Sequence, residues 1–202
     1  VTAQHSMDSH DHGSPPEFVE LARETLVTFD VDPASSEKWN ANIRARRIIT
    51  AAENFRTTPW FPGAPSVRRL RSNPARPPAG YLAQTAILNP PGDKRGRLVA
   101  EAWFGVAEYF RLGWCSGAVY IGFSVEQLSR LQRVGAYSHP LQHVTLVPTT
   151  RADYLDGVSG KLQEDAPHAS FVTLLSRSAR QIETFAAHGS QLGFVINGDR
   201  RP

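Results

Sequence analysis

The sequence predicts an α/β fold: an open, mostly parallel sheet with helices on both faces. Two observations carry this. Short apolar segments of strand length alternate with segments of helical periodicity along most of the chain, a pattern that favours strands joined through crossover helices. One strand candidate, "GAVYIGF", is also continuously apolar, as a strand covered on both faces should be. At 202 residues, 41% of them hydrophobic, the chain is long enough for one full core and too short for two comfortable domains.

In chain order, residues 1–14 are polar, rich in Ser, His and Asp, and aperiodic, which predicts a disordered tail ahead of a single domain over 15–202. His5, His10 and His12 with Asp8 and Asp11 could hold a metal loosely, but short histidine tracts are commonly solvated, and no metal is expected. From Pro15 the spacing of Phe18, Leu21, Ala22, Thr25 and Leu26 predicts a helix, with Pro16 suited to its first turn. "LVTFDV" reads as a strand closed by Asp32-Pro33-Ala34-Ser35-Ser36. A second helix is predicted over Glu37 to Arg47, carrying Trp39, Ile43 and Arg46, followed by a short strand, "RIITA", leading to Glu53-Asn54.

Residues 56–80 are rich in Pro, Arg and Gly and read as a long surface loop. Strand "YLAQTAILN" then runs into Asn89-Pro90-Pro91-Gly92. A helix is predicted over Leu98 to Leu112, with Val99, Ala102, Trp103, Val106, Ala107 and Phe110 on one face. "GAVYIGF" follows, then a short helix over Val125 to Arg133. The last third offers strands "HVTLV", "SFVTLL" and "LGFVI", with helix "SARQIETFAAH" between the latter two.

Composition narrows the function classes. No apolar run approaches the roughly 18 residues of a membrane span, and the N-terminus lacks a charged-then-apolar leader pattern, so a soluble, intracellular protein is expected, with no membrane partner. Cys115 is the sole cysteine and lies among apolar residues, which suits a buried small side chain without a chemical role. Positive charge is concentrated between Arg56 and Arg97, where Arg68, Arg69, Arg71, Arg76, Lys94 and Arg95 face Asp93 as the only acid. Such a stretch attracts phosphates, although a solvated loop would look the same.

The "DPASS" and "NPPG" words both follow predicted strands, and open α/β sheets bind ligands beyond the carboxyl ends of their strands. Successive prolines cannot continue a strand's hydrogen bonding, so the Asn89 side-chain carbonyl and the Pro90 backbone carbonyl are fixed together as acceptors. Two acceptors held this way can take both hydrogens of an exocyclic amine and turn its lone pair toward an electrophile. The gain comes from orientation and preset dipoles rather than from a shifted base. Pro91 would stiffen the turn and Gly92 would wall it. A strand cap followed by a polyproline turn is the purely structural alternative.

These residues resemble a known family, the phage-type DNA N-6-adenine-methyltransferases. The resemblance spans residues 15 to 197 and rests on ordered words: "FDVDPASSEKWNANIRA", with Asp32, Pro33, Ala34, Ser35, Asn40 and Ala45; "TPWFPG"; "ILNPPGDK"; and, downstream, "VYIGFSVEQL", "RADYLDG" and "DAPHASFVTLL". It implies a Rossmann-like methyltransferase fold. It also implies adenine-specific DNA methylation in the cytoplasm of a bacterium or from a phage gene, with S-adenosylmethionine as cofactor and DNA as partner. By that resemblance Asn89, Pro90, Pro91 and Gly92 form the catalytic tip. Asp32, Pro33, Ala34 and Ser35 line the cofactor pocket, with Glu53 and Asn54 at its adenosine end. Given DNA as partner, the concentrated positive charge makes Arg68, Arg69, Arg71, Arg76, Lys94 and Arg95 the expected DNA contacts.

The chain departs from the family pattern twice. Gly92 stands where many amino-methyltransferases carry an aromatic residue, leaving Trp60, Phe61 and Phe123 as candidate stacking rings, and no Gly-x-Gly loop is present. A catalytically silent nucleic-acid-binding protein, or methylation of cytosine N4 or a glutamine amide, are the competing readings. Paired "HVTL" and "HAS" words at His143 and His168 stand too close for a two-lobed phosphoesterase site.

Overall fold

The computed structural model describes residues 13–92, 96–122, 143–150, 152–156, 159–163 and 170–197. Its elements are α1 (Pro16–Leu26), β1 (Val31–Asp32), α2 (Glu37–Ile43), β2 (Arg47–Ile48), α3 (Val67–Leu70), β3 (Gln84–Leu88), α4 (Arg97–Leu112) and β4 (Cys115–Gly122). They continue with β5 (His143–Pro148), β6 (Tyr154–Leu155), β7 (Leu162–Gln163), β8 (Phe171–Ser176), α5 (Ala179–Gly189) and β9 (Gly193–Asn197).

Seven strands form one sheet in the order β2-β1-β3-β4-β8-β5-β9, and β6 and β7 make a separate hairpin. The α/β class therefore stands, but the sheet is mixed rather than mostly parallel. The pairs β2–β1, β1–β3 and β3–β4 are parallel, whereas β4–β8, β8–β5 and β5–β9 are antiparallel. Strand β8 is inserted between β4 and β5, which run in the same direction.

Both faces of the sheet are covered, because the strands carry apolar side chains at consecutive positions. On one face Ala86, Leu88, Ala118, Tyr120, Phe171 and Leu175 pack with α3 and α4. On the other, Ile87, Val119, Ile121, Val172 and Leu174 pack with α1 and α5. Alternation along β3 and β4 sends successive residues to opposite cores.

Helix α1 buries Phe18, Val19, Leu21, Ala22, Thr25 and Leu26 and begins on a proline, as its spacing predicts. It ends at Leu26. The predicted strand over "LVTFDV" shrinks to Val31–Asp32, because Val27 takes a positive φ of 68° and Thr28 N–H donates to the Leu26 carbonyl at 2.8 Å. Helix α4 is buried on every side from Ala102 to Phe110, beyond the single face its spacing predicts, and stops at Gly113, whose φ of 96° suits glycine at a helix C-terminus.

Residues 56–80 are not merely a surface loop. Trp60, Phe61, Ala64, Val67 and Leu70 are buried against α4. Gly105 permits that approach, since a Cβ there would come within 2.8 Å of Val67 and 3.0 Å of Trp60. Tyr109 anchors the loop by donating its hydroxyl to the Pro65 carbonyl at 2.6 Å.

Of the predicted tail, Gly13 and Ser14 belong to the fold. Gly13 exchanges backbone hydrogen bonds with Leu155 at 2.9 and 3.1 Å, and Ser14 is buried. Residues 1–12, with the histidine tract, lie outside the described residues, as does the predicted helix over Val125 to Arg133. Among the described residues no helix is long and apolar enough to cross a membrane, and no group of three or more His, Cys, Asp or Glu is placed to hold a metal.

Candidate functional site

Chain order decides where a ligand can sit. After β1 the chain moves to one side to form β2, then returns across β1 to form β3 and β4. The crevice between the carboxyl ends of β1 and β3 is thus a topological switch point, where open α/β sheets bind ligands. Asp32 ends β1, and Asn89 follows the last residue of β3.

The register makes them neighbours. Val31 pairs with Ala86, so Asp32 stands level with Ile87 and two residues short of Asn89. Strand rise and spacing put the two Cα atoms about 8 Å apart. Asn89 precedes a proline and is biased to extended backbone. Alternation continued past Leu88 would turn its side chain to the same face as Asp32.

Asp32 is fully enclosed, with 1% of its surface exposed. Burial pushes its carboxyl up to about 7, opposed by the backbone N–H of Ala34, which donates to Oδ1 at 3.1 Å, and by the neighbouring Ser35. The Ser35 hydroxyl steadies the carboxylate, and Ser36 Oγ is enclosed without a partner. Ser36 occupies the N-cap position of α2, as the sequence suggests for one of the two serines, yet its hydroxyl makes no capping bond. Pro33 is buried and Ala34 packs against the α4 side of the core. The turn is tied to the next strand through Ile49, whose N–H donates to the Asp32 carbonyl at 2.9 Å and whose carbonyl accepts from Ser35 N–H at 3.2 Å.

At the tip, Asn89 and Pro90 are buried, whereas Pro91 and Gly92 are half-buried. The Asn89 side chain is engaged by its surroundings. Gly92 faces open space among the described residues: a Cβ there would meet nothing within 4 Å.

Other predicted site residues divide. Glu53 and Asn54 follow β2 at the same end of the sheet but serve the local turn. The Glu53 carboxylate accepts from Thr50 N–H at 2.9 Å and Thr50 Oγ1 at 3.1 Å, which draws its pKa down. Asn54 Oδ1 accepts from Arg56 N–H at 3.1 Å. Among the described residues these bonds tie both side chains to Thr50 and Arg56 rather than to Asp32.

The arginines spread over two ends of the molecule. Arg68 and Arg69 are exposed on α3, and Arg68 N–H donates to the Arg56 carbonyl at 2.9 Å. Arg56 in turn pairs with Glu101 in the first half of α4, toward the tip. Arg71 lays its guanidinium 4.1 Å from the Phe104 ring centroid. Arg76 follows Ala75, whose carbonyl accepts from Trp114 Nε1 at 2.8 Å beside the amino end of β4. It stands at the end opposite Asn89. Lys94, Arg95 and Phe123 lie outside the described residues. Trp60 and Phe61, the other candidate stacking rings, are 1% and 0% exposed and pack on Tyr109 at 5.1 Å between ring centroids, so they are core.

The fold also brings polar groups to this end that motif reading passed over. Tyr154 and Ser170 share a buried hydroxyl–hydroxyl hydrogen bond of 2.9 Å. Ser170 immediately precedes Phe171, the partner of Gly122 at the carboxyl end of β4. The signal was present, since both residues fall within the words "RADYLDG" and "DAPHAS". Asn40 and Ala45 prove to be mutual partners: Asn40 Nδ2 donates to the Ala45 carbonyl at 3.1 Å and Ala45 N–H donates to Asn40 Oδ1 at 2.8 Å. That bracket closes the turn between α2 and β2.

No protein-family model matches the chain, and no curated protein is significantly similar to it.

Proposed function

We propose that the chain is an S-adenosylmethionine-dependent methyltransferase acting on the exocyclic N6 amine of adenine in DNA. The fold within this reading is Rossmann-like, with its parallel half, β2-β1-β3-β4, carrying the site. The observation that carries it is the pairing of Val31 with Ala86, which sets a buried carboxyl and an Asn-Pro-Pro tip at adjoining strand ends across the switch point.

The residues fit the cofactor on one independent ground. The Ser36 hydroxyl, in the turn that follows the buried Asp32, is enclosed without a partner, and buried polar groups normally find partners. Asp32, Pro33, Ala34 and Ser35 would hold the cofactor, which supplies an electrophilic methyl group on a sulfonium. The Asn89 carbonyl oxygen and the Pro90 carbonyl would accept the two amine hydrogens and fix the lone pair toward that methyl, with the base flipped from its stack. Pro91 limits the tip's freedom, and a preset acceptor pair loses little entropy when it engages the amine. Arg68 and Arg69 would steady the phosphates beside the tip.

The reading is tested by incubating the protein with tritiated S-adenosylmethionine and DNA and resolving the nucleosides by mass spectrometry. Label in N6-methyladenine is the expected result, and unmodified adenine with labelled cytosine sinks the adenine assignment.

One observation favours a second reading, a catalytically silent nucleic-acid-binding protein on the same fold. Asn89 is 9% exposed, so the tip must open to admit a base. Calorimetry with the cofactor separates the two, since a silent fold gives no heat of binding.

A further inference from the structure

The two edges of the seven-stranded sheet are unlike. At one, β2 is two residues long and carries Arg47 next to Arg46, both exposed; short length and charge each keep a sheet edge from pairing with other chains. At the other, β9 runs for five residues as Gly193-Phe194-Val195-Ile196-Asn197, without charge, proline or bulge. Among the described residues β9 has one strand neighbour, β5. Phe194 and Ile196 are 70% and 53% exposed, so this edge presents apolar side chains where edges are usually blunted.

Register and hydrogen bonding define what β9 offers. It pairs with β5 in antiparallel sense, Phe194 with Val147, Val195 with Leu146 and Ile196 with Thr145. Just ahead of the strand, Thr149 N–H donates to the Leu192 carbonyl at 3.1 Å, which fixes the phase of the ladder. Antiparallel pairs alternate between bonded and non-bonded, so Phe194 and Ile196 exchange their bonds with β5, whereas the N–H and C=O of Val195 point away from it. Side chains alternate as well. Val195 packs toward the α1 and α5 core, and Phe194 and Ile196 emerge on the opposite face. There the α4-side core takes residues from β3, β4 and β8 and, among the described residues, none from β5 or β9.

We infer that β9 is the contact through which two copies of this chain associate, antiparallel about a two-fold axis at Val195. A two-fold contact requires a surface that complements itself, and β9 meets that condition. Val195 exchanges both of its outward backbone bonds with its own counterpart. Phe194 of each copy falls opposite Ile196 of the partner subunit, so an aromatic ring meets a β-branched side chain, and the symmetry makes this favourable pair twice. No charge in β9 repels its image. An unrelated strand would satisfy the backbone but has no reason to match the Phe194–Ile196 spacing, whereas a second copy matches it by symmetry. Such an edge buries on the order of 1,000 Å² over both copies, the low end for a specific contact, which corresponds to association at roughly micromolar concentrations. It lies at the opposite side of the sheet from the β1–β3 crevice, so the inference stands apart from the methyltransferase reading.

The test follows the unaltered chain from roughly 1 to 500 μM by sedimentation velocity, with amide exchange read by NMR across the same range. The mass should rise from that of one chain to that of two. The Val195 N–H should exchange freely in dilute solution and gain at least about tenfold protection in concentrated solution. The Phe194 and Ile196 amides, bonded to β5, should stay protected throughout.

Phe194→Lys combined with Ile196→Lys should weaken association by roughly thirtyfold, because both cross-strand pairs become like charges. Both side chains are exposed, and the exchange readout on the unaltered chain stands whether or not that variant folds. A monomer over the whole range overturns the inference, as does a dimer that tolerates both lysines. Val195 protection that is independent of concentration overturns it too, since the edge is then covered within one chain. Each of these results leaves the methyltransferase reading where it stood.

Discussion

Asp32 and Asn89 occupy the carboxyl ends of neighbouring parallel strands, one residue beyond Val31 and three beyond its partner Ala86. Words separated by more than fifty residues thereby become parts of one crevice. The fold achieves this with a single backbone pairing, reinforced lower down by Asp30, whose carboxylate accepts from Thr85 N–H at 2.8 Å and Thr85 Oγ1 at 3.0 Å.

The Asp32 carboxyl makes stability depend on pH in a stated direction. Its pKa rises from 3.8 to about 7 on folding, so between those values the folded chain holds a proton that the unfolded chain has lost. Stability from this group is full below the unfolded value and declines as pH rises through the folded value. Asp32→Asn should therefore flatten the profile between pH 4 and 8 and stabilise the unliganded protein at pH 8, by up to about 4 kcal/mol. Urea denaturation at the two pH values checks this; a variant less stable at pH 8 contradicts it.

Trp60 and Phe61 should behave as core residues. Phe61→Ala is expected to cost about 3–5 kcal/mol in denaturant unfolding. A Phe61→Leu variant, which keeps most of the volume, should bind oligonucleotides as the parent does. Selective loss of base binding by that variant, with stability kept, would return the ring to the ligand site.

Removing the Asn40 side chain breaks a two-way bracket with Ala45. Asn40→Ala should destabilise by about 1–3 kcal/mol, because the Ala45 N–H and carbonyl lose their partners in a half-buried turn. Thermal unfolding reads the effect, and an unchanged midpoint would show that water replaces the amide.

The basic segment should divide in function as it does in space. Replacing Arg68 and Arg69 together with alanine should lower the slope of DNA affinity against salt by about 2, whereas Arg76→Ala, at the opposite sheet end, should leave it unaltered. Fluorescence anisotropy across a salt series measures both slopes. Equal effects from the two variants would mean that DNA wraps around α4 rather than resting on the tip.

Much of this was legible because local chemistry and tertiary role coincide. The run from Ala118 to Ile121 is apolar at every position and becomes a central strand buried on both faces. Pro16 opens α1, and Gly113 closes α4, as their backbone preferences require. The antiparallel half was not legible: Phe171 to Leu175 reads as a buried strand whichever way it runs, and only its pairing with Gly117 to Gly122 reveals the direction. Trp60, Phe61, Val67 and Leu70 were hidden for a different reason. They reach the core from an aperiodic, proline-rich segment whose burial depends on Gly105 across the gap. At the site, motif words located Asp32 and Asn89 at strand ends, but their adjacency is a property of strand order. The same words could not separate Arg68 from Arg76, because the chain between them runs from α3, beside the middle of α4, to the amino end of β4.

The most direct measurement follows methyl transfer in the unaltered protein and in Asn89→Ala, with cofactor binding recorded for both. The account predicts labelled N6-methyladenine from the first, and from the second a loss of at least about a hundredfold in rate with cofactor affinity kept within about threefold. Undiminished labelling by Asn89→Ala would contradict it, because the amine would then be held by something other than the tip.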